Sequence, residues 1–133
     1  MISLFLPFPK ATVLIPSGPS NDQDRMHLFI ILTNPSTEKK LNIIVSISTY
    51  TGWPNDPTCI LNQGDHPFIR HKSYVLYSKA KIFKSKKLTR GVQDGKLVPK
   101  DPIDQSVFEK IVVGLMVSER TPKKIKDFFA KHG

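Results

Sequence analysis

The chain has 133 residues, of which 39% are hydrophobic and 23% are charged, a balance typical of a folded domain and not of a disordered polypeptide. Its 20 Lys and Arg residues outnumber 11 Asp and Glu residues, and the formal net charge of +9 favours a polyanionic partner. A single cysteine, Cys59, excludes an intrachain disulfide and a cysteine-based zinc site. Its position before Ile60 and Leu61 predicts a small buried hydrophobe and not a nucleophile.

The N-terminal segment is apolar but does not have the pattern of a signal peptide. No basic stretch precedes it, prolines at positions 7 and 9 interrupt it, and no small-residue cleavage site follows. No stretch of the sequence is long and apolar enough to span a bilayer. We therefore predict a cytoplasmic protein with no membrane partner.

Apolar and β-branched runs alternate with turn-forming residues over the first two thirds of the chain, which is typical of short strands. The predicted strands or extended segments are 11–15, 28–32, 41–49, 59–61, 73–77 and 79–83. Residues 17–26 are polar and turn-forming and predict an exposed loop. Residues 84–102 carry many lysines, two glycines and two prolines, and we interpret them mostly as loop.

Helix signals come late in the sequence. Ser106 and Glu109 have the spacing of a reciprocal N-terminal cap, and Val107, Ile111 and Leu115 follow at helical spacing. A second helix, basic and covering about 121–131, is indicated by a Thr-Pro start and by an apolar stripe among lysines. These elements predict a mainly β, α+β fold with C-terminal helices, formed by a single domain over residues 1–133, with a barrel-like sheet.

The order of these features resembles the PemK/MazF family of toxin ribonucleases over residues 11–116. The strand that ends in Thr33 and the segment Ile43–Thr49 resemble the front half of the family. The back half is similar at Ser73–Val75, at 79–83, at Gly95–Leu97 and at the Gly114–Leu115 pair. The resemblance rests on the order of patterns and not on one diagnostic motif.

This resemblance implies a small SH3-like β-barrel, a homodimer, and cleavage of single-stranded RNA without a metal or cofactor, leaving a cyclic phosphate. It also implies a small acidic antitoxin as a partner. The family has a Thr or Ser at the end of the third strand, which Thr49 matches, and an arginine just before the second strand. Here either Arg25 serves, or His27 occupies that position. Two prolines usual in the family are replaced by Leu28 and Ile47.

Metal-free RNA cleavage needs a base, an acid and groups that hold the phosphate. Histidine suits proton transfer near neutral pH, and arginine suits the phosphate. We predict that His27 and His66 share the proton transfers and that Arg25 or Arg70, with Thr49, holds the scissile phosphate. The segment 64–74 is notable because it combines two histidines, an arginine and a lysine in one turn.

Each of these residues also has a structural interpretation. His66 could be a hydrogen-bonded residue of the turn, and His27 could be an ordinary histidine at the end of a strand. His71, beside Lys72, is better explained as a solvated surface residue. Trp53, in a Gly-Trp-Pro loop, is either a platform for a nucleobase or an anchor of the loop, and the sequence favours the anchor.

A basic stretch provides the predicted RNA-binding surface, because phosphate contacts by such a surface do not depend on base sequence. Aromatic residues at 74, 77 and 83 alternate with it and could stack on unpaired bases. The alternative is a lysine face that only keeps the protein soluble. The predicted RNA-binding residues are Arg70, Lys72, Lys79, Lys81, Lys84, Lys86 and Lys87.

These observations favour a metal-independent endoribonuclease, the toxin of a toxin–antitoxin pair. The alternative is a non-catalytic nucleic-acid-binding module on the same fold. A third possibility is a protein-interaction adaptor, which would leave the lysine surface without a polyanion.

Overall fold

A computed structural model describes residues 5–18, 21–22 and 25–133. Residues 1–4 of the apolar N-terminal segment, and residues 19–20 and 23–24 of the predicted loop 17–26, lie outside the described residues. The strands are β1 (Thr12–Pro16), β2 (Met26–Ile31), β3 (Leu41–Thr49), β4 (Ile60–Leu61), β5 (Ser73–Val75), β6 (Lys81–Lys84) and β7 (Val98–Lys100). The helices are α1 (Ser85–Gln93), α2 (Gln105–Val117) and α3 (Lys123–His132), with a 3₁₀ turn at Tyr77–Lys79.

The strands form one antiparallel sheet around β3. Strand β2 pairs with one edge of β3, while β6 pairs with the first half of the other edge and β5 with the second half. The path through the sheet is β4-β5-β3-β2-β1-β7, with β6 beside it. The α+β class is confirmed. Closure into a barrel is not, because the pairings among the described residues leave β4 and β7 at the two ends of the path.

Two hydrophobic cores cover the two faces of the sheet, because successive residues of a strand point to opposite faces. Ile43 and Ile47 of β3 belong to the larger core, and Ile44 belongs to the smaller one. Helices α2 and α3 cover the larger core, and α1 covers the smaller. The buried side chains that they contribute are Ile111, Leu115, Ile125 and Leu88.

Asn42, near the start of β3, is a fully buried polar residue with its hydrogen bonds satisfied. Its Nδ2 donates to the carbonyl oxygens of Pro7 and Thr33, each at 3.0 Å, and its Oδ1 accepts from the Ser85 hydroxyl at 2.6 Å. These bonds offset the cost of burying the amide. They also connect three segments to the start of β3: the N-terminal segment, the residues that follow β2, and the start of α1.

Tyr77 connects the 3₁₀ turn to α2. Its ring is fully buried, and its hydroxyl donates to the carbonyl oxygen of Ile111 at 2.8 Å. A β-carbon at Gly114 would lie 2.1 Å from the Tyr77 hydroxyl oxygen, so the ring fits only because residue 114 has no side chain. Burial raises the pKa of Tyr77 well above its ordinary value, which keeps the hydroxyl protonated as a donor.

The predicted start of α2 is wrong in detail. The helix begins at Gln105, with Asp104 at the N-cap position and no side-chain cap hydrogen bond. The reciprocal cap between Ser106 and Glu109 therefore does not form. Instead, the Glu109 carboxylate accepts a 3.0 Å hydrogen bond from Nε2 of Gln105. The basic helix near the C-terminus is confirmed as α3.

The prediction that 84–102 is mostly loop is also wrong, because α1 and β7 occupy much of it. Helix α1 has few apolar residues, and its Leu88 is fully buried in the smaller core. Gly91 lies against Leu97, where a β-carbon would be 2.6 Å from two atoms of the leucine side chain. The predicted strand at 73–77 ends at Val75, before the 3₁₀ turn. Among the described helices, none has the length and hydrophobicity needed to cross a bilayer.

Candidate active site

A cleft of about 950 Å³ opens beside the start of β2 and the end of β3. Its walls come from segments far apart in sequence: 25–28, 47–49, 66–71 and 100–101. The fold therefore brings both predicted histidines, both predicted arginines and the predicted threonine to one place. These residues are Arg25, His27, Thr49, His66 and Arg70.

His66 is the most enclosed of these residues, with only 3% of its surface exposed. Its Nε2 lies 2.6 Å from the carbonyl oxygen of Asp101, so this nitrogen carries the proton and donates it. Its Nδ1 accepts a 3.0 Å hydrogen bond from the backbone N–H of Phe68. The Thr12 hydroxyl donates to the same Asp101 carbonyl oxygen at 2.7 Å. Both nitrogens of His66 are thus occupied by backbone groups.

These bonds attach the loop 62–72 to the rest of the fold. His66 connects the loop to the segment that follows β7, and Ile69 is buried in the larger core. Phe68 lies between these two attachments, and Arg70 and His71 follow the second. The side chains of all three are exposed and line the cleft. The geometry favours the structural interpretation of His66, as a residue that positions its neighbours.

His27 lies in β2 opposite Ile15 and is half-buried at the cleft. Its Nδ1 is 2.8 Å from the Ser17 hydroxyl oxygen, and that hydroxyl donates to the carbonyl oxygen of Ile15 at 3.2 Å. In the tautomer in which the serine hydroxyl donates to Ile15, Nδ1 of His27 carries the proton and donates to Ser17. In the neutral ring, Nε2 is then the basic nitrogen, and no hydrogen bond among the described residues engages it.

The surroundings of His27 also favour the neutral ring. Burial, and secondly the nearby positive charge of Arg25, lower the pKa of His27 below its ordinary value of 6.5. Arg25 itself is exposed and directly precedes β2, which begins at Met26. Its carbonyl oxygen accepts from the backbone N–H of Ser17, the residue after β1, at 2.9 Å.

His71 and Thr49, which both line the cleft, are in contact with each other. Nε2 of His71 and Oγ1 of Thr49 are 2.8 Å apart, and both side chains are exposed. The pairing of β3 with β5, in which Thr49 lies opposite Ser73, brings them together. No hydrogen bond to Nδ1 of His71 is found within the described part of the chain. The sequence had favoured a solvated surface role for His71, and nothing local in the sequence indicates its contact with Thr49.

The charges at the cleft are predominantly positive. Arg25, Arg70 and Lys100 line it together with one carboxylate residue, Asp101. In residues 5–18, 21–22 and 25–133, the one ion pair closer than 4.0 Å is Lys123 with Asp127, on α3. None of the three cationic groups is within 4.0 Å of an acidic side chain in the described part of the chain, which favours an anionic ligand. Lys100 was missed from the sequence because it lies in a segment predicted to be loop.

Of the predicted RNA-binding residues, Arg70 lines this cleft and the lysines do not. Lys81 lies over the ring of Phe29, with Nζ 5.9 Å from its centre, and Lys72 lies over Tyr50 at 5.0 Å. Lys86 lines a second, smaller cleft of about 340 Å³, together with Lys40 and Arg90, near the first end of β3. The other predicted lysines, Lys79, Lys84 and Lys87, are exposed. Lys72 directly follows His71, whereas the lysines of β6 pair beside the first half of β3, away from the cleft.

Comparison of the chain with protein-family models, curated proteins and solved structures gives no match. In the part of the chain that the structure describes, no group of three or more His, Cys, Asp and Glu side chains is arranged to hold a metal ion.

Proposed function

We propose that the chain is an endoribonuclease that binds single-stranded RNA in the large cleft and cleaves it without a metal ion. One observation carries this proposal. His27 and His71 line the same cleft as Arg25 and Arg70, and each ring has one nitrogen not engaged by any described residue. Two such rings beside cationic groups are the components that RNA cleavage by acid–base chemistry requires.

In this proposal, His27 is the general base. Its lowered pKa keeps the ring neutral at cellular pH, and the bond from Nδ1 to Ser17 directs the basic lone pair to Nε2. Nε2 takes the proton of a ribose 2′-hydroxyl, whose oxygen then attacks the adjacent phosphorus. The bond to the 5′-oxygen breaks, and the products are a 2′,3′-cyclic phosphate and a 5′-hydroxyl.

His71 is the general acid, which returns a proton to the leaving 5′-oxygen. Its bond to Thr49 orients the ring, while Arg25 and Arg70 stabilise the charge that develops on the phosphate. His66 keeps the loop in place, so its earlier assignment to proton transfer is replaced here by a positioning role. This is supported by the occupation of both its ring nitrogens.

The proposal extends to a toxin of the PemK/MazF type. It is supported by Arg25 directly before β2 and by Thr49 at the end of β3, the two positions that the resemblance singles out. On this proposal the sheet is a variant of the SH3-like barrel, and the protein acts in the cytoplasm as a homodimer neutralised by a small acidic antitoxin.

The test is incubation of the purified protein with single-stranded RNA in the presence of EDTA, followed by end-group analysis of the fragments. We expect 2′,3′-cyclic phosphate and 5′-hydroxyl ends. The matched control is Lys131→Ala, which removes an exposed positive charge on α3 and should cleave like the parent. RNA binding without cleavage by the parent protein would instead support the non-catalytic binding module.

A further inference from the structure

Trp53 is the most exposed large hydrophobic side chain among the described residues, with 79% of its surface accessible. The sequence favoured an anchor for the loop, but the indole is not buried against the fold. Burial of so large a ring would stabilise the protein, and this stabilisation is not realised here. The exposed ring is therefore a candidate for stacking on a ligand.

The loop that carries Trp53 is ordered by its own hydrogen bonds. The carboxamide oxygen of Asn55 accepts from the backbone N–H of Thr51 at 2.8 Å and from its hydroxyl at 2.9 Å. Next to it, the buried carboxylate of Asp56 accepts from the hydroxyls of Ser118, at 2.6 Å, and Thr58, at 2.5 Å. The loop thus holds its indole outward on a rigid base.

Arg120 occupies one face of the indole. Its Cζ lies 5.1 Å from the centre of the Trp53 ring, and its guanidinium donates to the carbonyl oxygen of Pro54. Stacking of a guanidinium on an aromatic ring fixes the orientation of both groups. Given the high exposure of Trp53, the other face of the indole is open to solvent.

The Trp53 loop continues directly from the cleft. Thr49 lines the cleft, and Trp53 follows four positions later, so their α-carbons are at most about 14 Å apart. Between them, the backbone N–H of Tyr50 donates to the carbonyl oxygen of Lys72 at 3.0 Å, and the Lys72 ammonium lies over the Tyr50 ring. A cation and an aromatic ring thus lie next to Thr49, on the chain segment that leads to Trp53.

We propose that the open face of Trp53 is a stacking site for an unpaired nucleobase of a nucleic-acid strand whose neighbouring phosphates occupy the cleft. This inference rests on the proposed function for its substrate class and adds a base-binding subsite outside the cleft. The stack would be sequence-tolerant, because every base has a π face. Lys72 contacts a phosphate between the two sites.

Trp53 is the only tryptophan of the chain, so its fluorescence reports the contact directly. The probe is a single-stranded DNA oligonucleotide, which lacks the 2′-hydroxyl needed for cleavage, compared with an abasic oligonucleotide of the same length and charge. We expect the base-containing strand to quench Trp53 emission strongly and the abasic strand to quench it little.

Affinities are measured in parallel by the anisotropy of labelled oligonucleotides. Trp53→Ala should bind the base-containing strand about 5- to 100-fold more weakly than the parent, and the abasic strand equally well. Trp53→Phe should recover most of the difference. Phe8→Ala, which removes another exposed aromatic ring, should bind both strands like the parent.

Equal quenching by the two strands, parental affinity of Trp53→Ala, or no binding of either strand would overturn the inference. The result is separable from the proposed function. If the parent protein cleaves no RNA but shows base-dependent quenching, the nuclease proposal fails and the stacking site stands. If the parent protein cleaves RNA but Trp53 emission does not depend on the bases, the stacking site fails and the nuclease proposal stands.

Discussion

Thr49 and His71 are joined by a 2.8 Å contact between Oγ1 and Nε2, although they are far apart in the chain and both are exposed. The contact exists because β3 and β5 pair so that the last residue of β3 lies beside the loop that enters β5. It gives a strand-end threonine, otherwise unremarkable, a defined role in orienting an imidazole. It also lets the roles of the two residues be tested as a pair.

Thr49→Val keeps the shape of the side chain but removes the hydroxyl that contacts His71. Because the site is exposed, we expect a change of less than about 0.5 kcal/mol in the free energy of unfolding. RNA cleavage should fall at least tenfold, since the ring loses its orientation, while Thr49→Ser should retain most activity. Urea denaturation and single-turnover cleavage measure the two quantities. Parental cleavage by Thr49→Val would remove Thr49 from the site.

His27→Ala should reduce cleavage by about a hundred- to ten-thousand-fold while RNA affinity stays within a few-fold of the parent. The base works only when deprotonated, and its pKa is lowered, so the parent's activity should rise with pH through a midpoint below 6.5. Arg25→Gln removes one cause of that lowering and should move the midpoint upward. pH–rate profiles of both proteins test this, and an unchanged midpoint in Arg25→Gln would contradict it.

His66→Ala should act mainly on stability. The change leaves the Phe68 N–H without its acceptor and removes one of two donors to the Asp101 carbonyl oxygen. An unsatisfied donor costs about 1–3 kcal/mol, and a lost hydrogen bond whose acceptor keeps another donor costs about 0.5–1.5 kcal/mol, so we expect about 2–4 kcal/mol off the free energy of unfolding. Chemical denaturation measures the loss. For comparison, His71→Ala, at an exposed site, should unfold like the parent.

The cleavage assay distinguishes a positioning role of His66 from a catalytic one. At a temperature where His66→Ala remains folded, its pH–rate profile should have the same shape as that of the parent. A change of shape would instead assign a proton transfer to His66.

The triple variant Lys84→Ala, Lys86→Ala, Lys87→Ala should separate the basic surface from the cleft. Because phosphate contacts release counterions, affinity for a long single-stranded RNA should fall and depend less steeply on salt. Cleavage of a short oligonucleotide that fills only the cleft should stay at the parental rate, since Lys86 lines the second cleft. Equal losses on long and short RNA would show that the two surfaces are not distinct.

The strands β1 to β6 were predictable because their signal is local, whereas β7 lies in a segment that was predicted to be loop. The run 41–49 has apolar residues that would point to both faces of a strand, and this predicts a strand buried on both sides. It matches β3, because the two faces of that strand lie in the two cores. Helix α1 was not predictable in this way. Its sequence is mostly polar, and packing of Leu88 against the sheet, a tertiary effect, stabilises it.

The candidate site was predictable in its residue types but not in its contacts. Two histidines and an arginine within 66–71 indicated an unusual loop. Which histidine is enclosed depends on Asp101, a residue 35 positions away that supplies the carbonyl oxygen for His66. The contact of His71 with Thr49 depends on strand register, which local sequence patterns do not specify.

The space that Gly114 leaves for the Tyr77 ring has a consequence for how the sequence can diverge. No side chain can be added at residue 114 while the phenol remains, because even a methyl group would overlap the hydroxyl oxygen. Conversely, a smaller residue at 77 would leave a cavity beside the glycine and would remove the hydroxyl that donates to the Ile111 carbonyl oxygen. In proteins that descend from this chain, we therefore expect either no change at these two positions or a paired change, in which a larger residue at 114 accompanies a smaller one at 77.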